Sequence, residues 1–418
     1  MGCITAFAFM STVLIFAEYL RSMAWSTTAW IPAIAHALMR QGHTVHVCTD
    51  GLEDASAFQQ QSGTIHVHVR RPNRKLRASD PLGFARWCKS QLATHPGARS
   101  ISFTRYFPGD LWIPLGKPIV STVLHAVRAH RPATAAMEII HRPWAPKALI
   151  AEHFAQSHAD RTQARIGVFE LPSQSMQPLQ RPGEPPEPAW TTPLFMGYAS
   201  TLIPPSPDAS QNDRTRLRRL LGISDSSLVV ALSAVHHDRP GIAEFFDGAA
   251  ATIASHVPPS PDLHILIAGR KTHTLHKLIE AAGISSRTHI LGGTARIDAV
   301  LAASDLAVAT GTRIDTTSTG RFIADALVMG VPVLATPTAP GSQLVRPTPE
   351  QSTAAGLIVD FPSSDAWRRA LRTAGSPPWR AVASAHAKTL APALSIDTFT
   401  KRLAEALGLD KPASPAAS

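Results

Sequence analysis

Two α/β domains, each a doubly wound parallel sheet, are what this chain predicts, and three observations lead there. Apolar, β-branched runs alternate with helix-period segments along both halves of the chain. A stretch rich in Pro, Ser, Gln and Gly at 172–213 (QRPGEPPEP, PPSPDAS) separates the halves. The 418 residues also exceed what one ordinary core organises. The expected boundaries are 1–200, 201–390, and a closing helix with a tail over 391–418.

In the first half, Thr12–Ala17 (TVLIFA) reads as a buried strand. The polar SMAWSTT follows, then IPAIAHALMRQ with helical periodicity, and Gly42 stops it. Pro32 is tolerated there only in the first helical turn. HTVHVCT is the next strand, so the unit is a parallel β-α-β crossover. TIHVHV (64–69) alternates as a further strand and runs into the basic RRPNRKLR (70–77). SISF is a candidate strand, 104–118 (TRYFPGDLWIPLGKP) a loop, and 120–130 (VSTVLHAVRAH) a helix. RIGVFEL (165–171) is expected to be the last strand of this half.

The second half reads as strand SLVVALSAV, helix IAEFFDGAAATIASHV, strand LHILIAG, helix LHKLIEAAG and short strand THILGG. Helix IDAVLAAS, strand LAVATG, helix FIADALVMG and strand VPVLAT come next. Strand GLIVDF and the helices DAWRRALRTA and FTKRLAEALG close the chain. Neither half contains a tandem repeat.

Composition narrows the function classes. Hydrophobic residues make up 44% and mean hydropathy is +0.01, which fits a globular chain. The net charge is +10, and the first 200 residues carry 19 basic against 12 acidic side chains, so most of the excess lies there. Such a surplus suits phosphorylated substrates, anionic lipid headgroups or nucleic acid, and the charge alone does not choose among them. No basic-aromatic stacking face or recognition motif argues for nucleic acid. Cys3, Cys48 and Cys88 form no CxxC pair, which disfavours a disulfide framework or zinc ribbon and suits a reducing cytosol. The nineteen histidines show no tight metal spacing, so no metal site is expected. The apolar run near the N-terminus has no preceding Lys or Arg and meets Glu18 and Arg21 too soon for a span. The expected location is cytoplasmic, with peripheral contact at the inner membrane face an option, and Met10 is an alternative start.

Ligands of open parallel sheets lie beyond the carboxyl ends of the strands, where helix N-termini offer free N–H groups and a positive dipole end. DTTSTG (315–320) occupies such a place, between LAVATG and FIADALVMG. The hydroxyls of Thr316, Ser318 and Thr319 suit phosphate oxygens, Gly320 would let a ligand approach the backbone, and Asp325 suits sugar hydroxyls. Ordinary N-capping explains the same residues. Arg239 follows the first strand of this half, and Arg270 and Lys271 the second; cations at neighbouring strand ends grip a diphosphate. No GxGxxG follows the first strand, and Walker A, GxSxG and HExxH motifs are missing from the sequence.

AHALMRQGHTVHVCTDG, the crossing segment TLIPPSPDASQNDRTRLRRLLGISDSSLVVALS, ASDLAVATGTR and IADALVMGVPVLATPTAP, in this order and spacing, carry a resemblance. The chain resembles the GT-B-fold glycosyltransferases, and most closely family 4, the group 1 retaining transferases. The match is near end to end in the second half and in outline in the first.

The resemblance implies two Rossmann-like domains facing a cleft and a nucleotide diphosphate-sugar donor, with neither metal nor other cofactor. Asp325 stands at the ribose-binding second acid of the family's E-x7-E pair, and Arg239 at its diphosphate lysine. The first, catalytic acid falls on Thr317, with Asp315 two residues earlier, and the family's other phosphate-binding arginine falls on Ala234. The first half would bind the acceptor, with Arg70, Arg71 and Arg105 as candidates. Two rivals stand beside a retaining glycosyltransferase: a GT-B sugar-nucleotide epimerase or hydrolase, and a catalytically degenerate scaffold or sensor.

Overall fold

The computed structural model describes residues 11–20, 30–53, 58, 65–71, 80–113, 150–151, 154–155, 165–168, 194–195, 197–204, 206–233, 241–255, 262–269, 272–292, 296–311, 316–346, 353–360 and 363–409. They fall into two compact units, one ending at Gly197 and resuming at Phe399, the other spanning Tyr198–Thr398.

The first unit holds a seven-stranded sheet ordered β3-β2-β1-β4-β5-β6-β7. Its strands are β1 (Thr12–Leu20), β2 (Thr44–Leu52), β3 (Ile65–Val69), β4 (Arg99–Ser102), β5 (Leu111–Trp112), β6 (Arg165–Val168) and β7 (Leu194–Phe195). All pairings are parallel. β1 reads as a continuous apolar run because it is central and covered on both faces. Helix α1 (Trp30–Arg40) links β1 to β2 and carries Pro32 in its first turn. Gly42 ends that crossover at φ 91°, a conformation that costs glycine nothing.

Helix α2 (Pro81–Thr94) returns from β3 to β4. Asp80 caps it by accepting from the Gly83 N–H, and Phe84 and Cys88 pack on Leu14, Phe16 and Cys48. The basic segment after β3 is tied down here: Arg70 Nε lies 2.6 Å from Asp50, and Arg71 pairs with Asp80.

The second unit holds a six-stranded parallel sheet ordered β10-β9-β8-β11-β12-β13. Its strands are β8 (Leu228–Ser233), β9 (Leu263–Ala268), β10 (Thr288–Ile290), β11 (Leu306–Ala309), β12 (Val333–Ala335) and β13 (Gly356–Ile358). Helices α3 (Pro207–Leu220), α4 (Ile242–Ile253), α5 (His273–Ala281), α6 (Ile297–Ala302), α7 (Thr316–Val328), α8 (Ser364–Gly375) and α9 (Pro377–Leu390) belong to it. α10 (Ile396–Leu407) begins in this unit and continues into the first.

The core of the second unit joins Val230, Ile265 and Val308 of the sheet to Phe245 and Trp367 of the helices. Gly248 lets α4 approach α8 closely: a Cβ there would sit 2.6 Å from Trp367 Cβ and 2.7 Å from the Ser364 carbonyl.

The amino ends of this sheet are locked by one acid. Asp305, just before β11, lies 2.8 Å from Arg214, 2.8 Å from Arg218 and 3.0 Å from Arg380, and it accepts from the Val229 N–H. Arg218 is 1% exposed and also donates to the carbonyls of Ala303, Ser224, Asp225 and Ser227. The guanidinium spends its donors in one place, which is how a buried arginine is tolerated.

The two doubly wound parallel sheets expected from the sequence are present. Six details differ, two of them the helices α2 and α9, which are absent from the sequence reading. RIGVFEL is not the last strand of its sheet, because Leu194–Phe195, inside the Pro-rich stretch, adds β7 beyond it. The same stretch contains the start of α3, where Ser206 caps a helix with Pro207 at its first position. Part of the loop 104–118 pairs as β5. Helix α7 begins at Thr316, so TTSTG is its first turn and not a loop before it. The helix expected at 120–130 lies outside the described residues.

Candidate functional site

Both sheets reverse their strand order between a first and a fourth strand, β1 and β4 in one unit and β8 and β11 in the other. At such a switch point the connections leave in opposite directions and open a crevice at the strands' carboxyl ends. In the second unit Thr310, Gly311 and the N-terminus of α7 follow β11 at that switch point. α7 is thirteen residues long, so its first-turn N–H groups and dipole favour an anion.

Ser318 is half-buried in that turn, while Thr319 is 1% exposed and its Oγ1 has no hydrogen-bond partner. Of Thr316 and Thr317 the backbone is helical, and their side chains lie outside the description, as do Asp315, Arg239, Arg270 and Lys271. The loop after β12 is pinned to this edge through Thr338, whose hydroxyl donates to the Gly311 carbonyl at 2.6 Å.

Gly320 serves packing. A Cβ on it would fall 2.1–2.5 Å from three carbons of the Tyr198 ring, and the Cβ of any residue replacing Gly341 would meet Gly320 Cα at 2.9 Å. Two backbones and an aromatic ring converge on the first turn of α7. Gly320→Ala is therefore expected to destabilise the second unit by about 1–3 kcal/mol through overpacking. Denaturant melts read this, and shortening the ring in Gly320→Ala/Tyr198→Leu should recover part of the loss; no recovery would mean the ring is not the obstacle.

Asp325 is 3% exposed. Its Oδ1 accepts from the Ser200 hydroxyl at 2.7 Å, and its Oδ2 lies 3.6 Å from Nε of Arg321, one turn earlier. Arg321 is 7% exposed and donates through Nη2 to Thr201 at 2.7 Å, while its Nε and Nη1 have no hydrogen-bond partner. Burial pushes the Asp325 carboxyl above its ordinary value, against the pull of Arg321, the Ser200 hydroxyl and the Thr201 N–H. Sequence reasoning missed Ser200, Thr201 and Arg321; the only linear signal is the i, i+4 spacing of Arg321 and Asp325.

In the first unit, the switch point carries Glu18 near the end of β1 and Thr104–Arg105 after β4. Glu18 accepts from the Thr104 hydroxyl at 3.1 Å and the Arg105 N–H at 3.4 Å, and the Arg105 guanidinium lies over the Tyr106 ring. Arg70 and Arg71 are engaged with Asp50 and Asp80 instead. Among the described residues, one cluster has the geometry to hold a metal ion: His46, His68 and His95, also in the first unit.

This architecture, two Rossmann-like domains with parallel sheets in 3-2-1-4-5-6 order, the first extended by a seventh strand, is the GT-B fold. Solved structures share it along nearly the whole chain. WaaG, a glycosyltransferase involved in lipopolysaccharide biosynthesis, superposes with a TM-score of 0.64 at 16% identity, covering 94% of this chain and 99% of its own. HepE from Anabaena, solved with UDP and glucose, gives 0.59 at 18% identity, covering 95% and 99%. Sucrose-phosphate synthase from Thermosynechococcus elongatus gives 0.60 at 15%, covering 94% and 98%. Residues 226–374, the body of the second unit, match the model of the family described as glycosyl transferases, group 1. No curated protein sequence matches the chain significantly. No helix among the described residues is long and apolar enough to cross a membrane.

Proposed function

We propose that this protein is a glycosyltransferase that moves a sugar from a nucleotide diphosphate-sugar to an acceptor hydroxyl with retention of anomeric configuration. The observation that carries the reading is the placement of the α7 N-terminus at the β8/β11 switch point, inside the segment that matches the group 1 transferases. The donor diphosphate would lie against the first turn of α7, with Ser318 beside it and Arg239, Arg270 and Lys271 as cations from adjoining strand ends.

Catalysis in such a site is electrostatic. Charge builds on the departing diphosphate, and fixed N–H dipoles and cations stabilise it without reorganising. The first unit would supply the acceptor surface, of which Arg105 is the candidate best placed, at that sheet's own switch point. A phosphorylated or lipid-linked acceptor suits the basic excess of that half, and a cytoplasmic site with peripheral membrane contact suits such an acceptor.

A second reading, a nucleotide-sugar-binding sensor without transfer, is favoured by two residues. Thr317 is not an acid at the family's catalytic position, and the Asp325 carboxylate is engaged by Ser200.

Calorimetry and thermal melts against UDP, GDP, ADP and CMP test the donor site. A ligand that binds only the folded state stabilises it by about 2.7 kcal/mol at one hundred times its Kd. One diphosphate is expected to raise Tm selectively, and Arg239→Gln and Lys271→Gln to reduce the shift. A folded protein that none of the four stabilises would sink the donor-site reading. Sugar release to water alone, with no acceptor product, would assign a hydrolase instead.

A further inference from the structure

We propose that His46, His68 and His95 form a binding site for a zinc-class divalent transition metal in the first unit, separate from the donor site. The parity of the strands builds it. β1 and β2 pair with Leu14 opposite His46 and Phe16 opposite Cys48; β2 and β3 pair with His46 opposite His66 and Cys48 opposite His68. Side chains two apart share a face, so these residues all project to the side that α2 covers. α2 then delivers His95 at its carboxyl end, with the ring against His46 at 4.3 Å between centroids. Three strand and helix positions, 22 and 27 residues apart along the chain, thus bring one nitrogen each to within 4.8 Å of one another.

The nitrogens are prepared for the role. His95 Nδ1 lies 2.9 Å from the Gln91 carbonyl, which can only accept, so Nδ1 carries the proton and Nε2 keeps its lone pair. A ring nitrogen held by a carbonyl in this way is the usual partner arrangement of a metal-ligating histidine. His46 Nδ1 and His68 Nε2 face each other at 2.9 Å with one N–H between them, and a metal ion ligated by both would move that proton to the other nitrogen of its own ring.

Three imidazoles with no carboxylate select zinc, nickel, cobalt or copper over magnesium and calcium, and leave a coordination position for water.

The position assigns the site a bracing role. His46 is the third residue of β2 and His95 ends a helix that returns antiparallel to the strands, so the cluster lies away from the carboxyl-end crevice. A metal there would clip the edge strand β3 to β2 and to α2.

The test uses the full chain without a histidine tag, stripped with chelator and titrated with Zn2+ by calorimetry and with Co2+ by visible absorption. Saturable binding of one equivalent is expected, with four-coordinate Co2+ bands, a raised Tm, and no response to Mg2+. His68→Gln and His95→Gln should each weaken Zn2+ by at least about tenfold, the loss typical of disturbing a metal site. His289→Gln, at the second unit's His264–His289 pair, should leave it unchanged. Circular dichroism of the apo variants confirms folding. Absence of saturable Zn2+ binding by the folded chain, or equal binding by His68→Gln and His95→Gln, would overturn the assignment.

Discussion

Asp305→Ala is expected to destabilise the second unit by about 3–5 kcal/mol, the cost of leaving a buried charge without its partner. The charge is Arg218, 1% exposed and 2.8 Å from the carboxylate it would lose. Its four carbonyl partners would remain and satisfy N–H groups, but dipoles do not neutralise a guanidinium that burial already pushes below its usual value. The Val229 N–H would lose its acceptor as well, at the entry of the central strand β8. Arg214 and Arg380 are each about a quarter exposed and add little, since water screens them.

Asp305→Asn should cost less, because an amide oxygen can still accept from Val229. Hydrogen exchange across β8 and β11, read beside denaturant melts, places the loss in this unit. A change within about 1 kcal/mol for Asp305→Ala would mean the arginines are solvated in solution and the hub is not structural.

Asp305 also illustrates what was legible. It is the acid of ASDLAVATG, one of the motifs that carry the resemblance, and its linear context marks a strand start without revealing three arginines drawn from 214, 218 and 380. The fold was readable because parallel strands covered on both faces are continuous apolar runs, as in LHILIA and LAVA, and helices between them keep a 3.6 period.

Elements that depend on partners were not readable. β5 and β7 are two residues each and exist only as pairs in a sheet. α2 has a capping signal in Asp80-Pro81 but buries only Pro81, Phe84 and Cys88, a narrow apolar stripe. α9 opens on Pro377-Pro378, a dipeptide that marks a turn as often as a helix start, and here both prolines sit in its first turn. α7 begins at Thr316 against the weak helix propensity of Thr, Ser and Gly, held by Tyr198 and by the close approach of Gly341. The histidine cluster was invisible for a simpler reason: its members come from three elements, and no linear spacing records that.

The second large effect belongs to Asp325, and it separates a counter-ion from a ligand. Asp325→Ala should also cost about 3–5 kcal/mol, because Arg321 would keep a buried guanidinium with only the Thr201 hydroxyl on it. The paired exchange Arg321→Met/Asp325→Leu removes both charges and should return most of that stability, as apolar replacements of buried pairs commonly do.

The pH dependence has a definite sign. The carboxyl is raised in the folded protein, chiefly by burial, so the native state holds its proton more tightly than the unfolded chain. Its contribution is complete below the unfolded carboxylate value and is lost as pH rises through the folded one. Melts taken upward in pH from below the ordinary carboxylate range should therefore show a falling component in the natural protein that Asp325→Asn lacks. A component of opposite slope would mean Arg321 outweighs burial.

Nucleotide binding adds the decisive arm. If Asp325 only balances Arg321, the folded double variant binds a nucleoside diphosphate as the natural protein does. If the carboxylate also reaches ribose, that variant keeps its stability and loses affinity. Stability and affinity, measured on one pair of variants, thus distinguish a residue that holds the α7 helix in place from one that touches the donor.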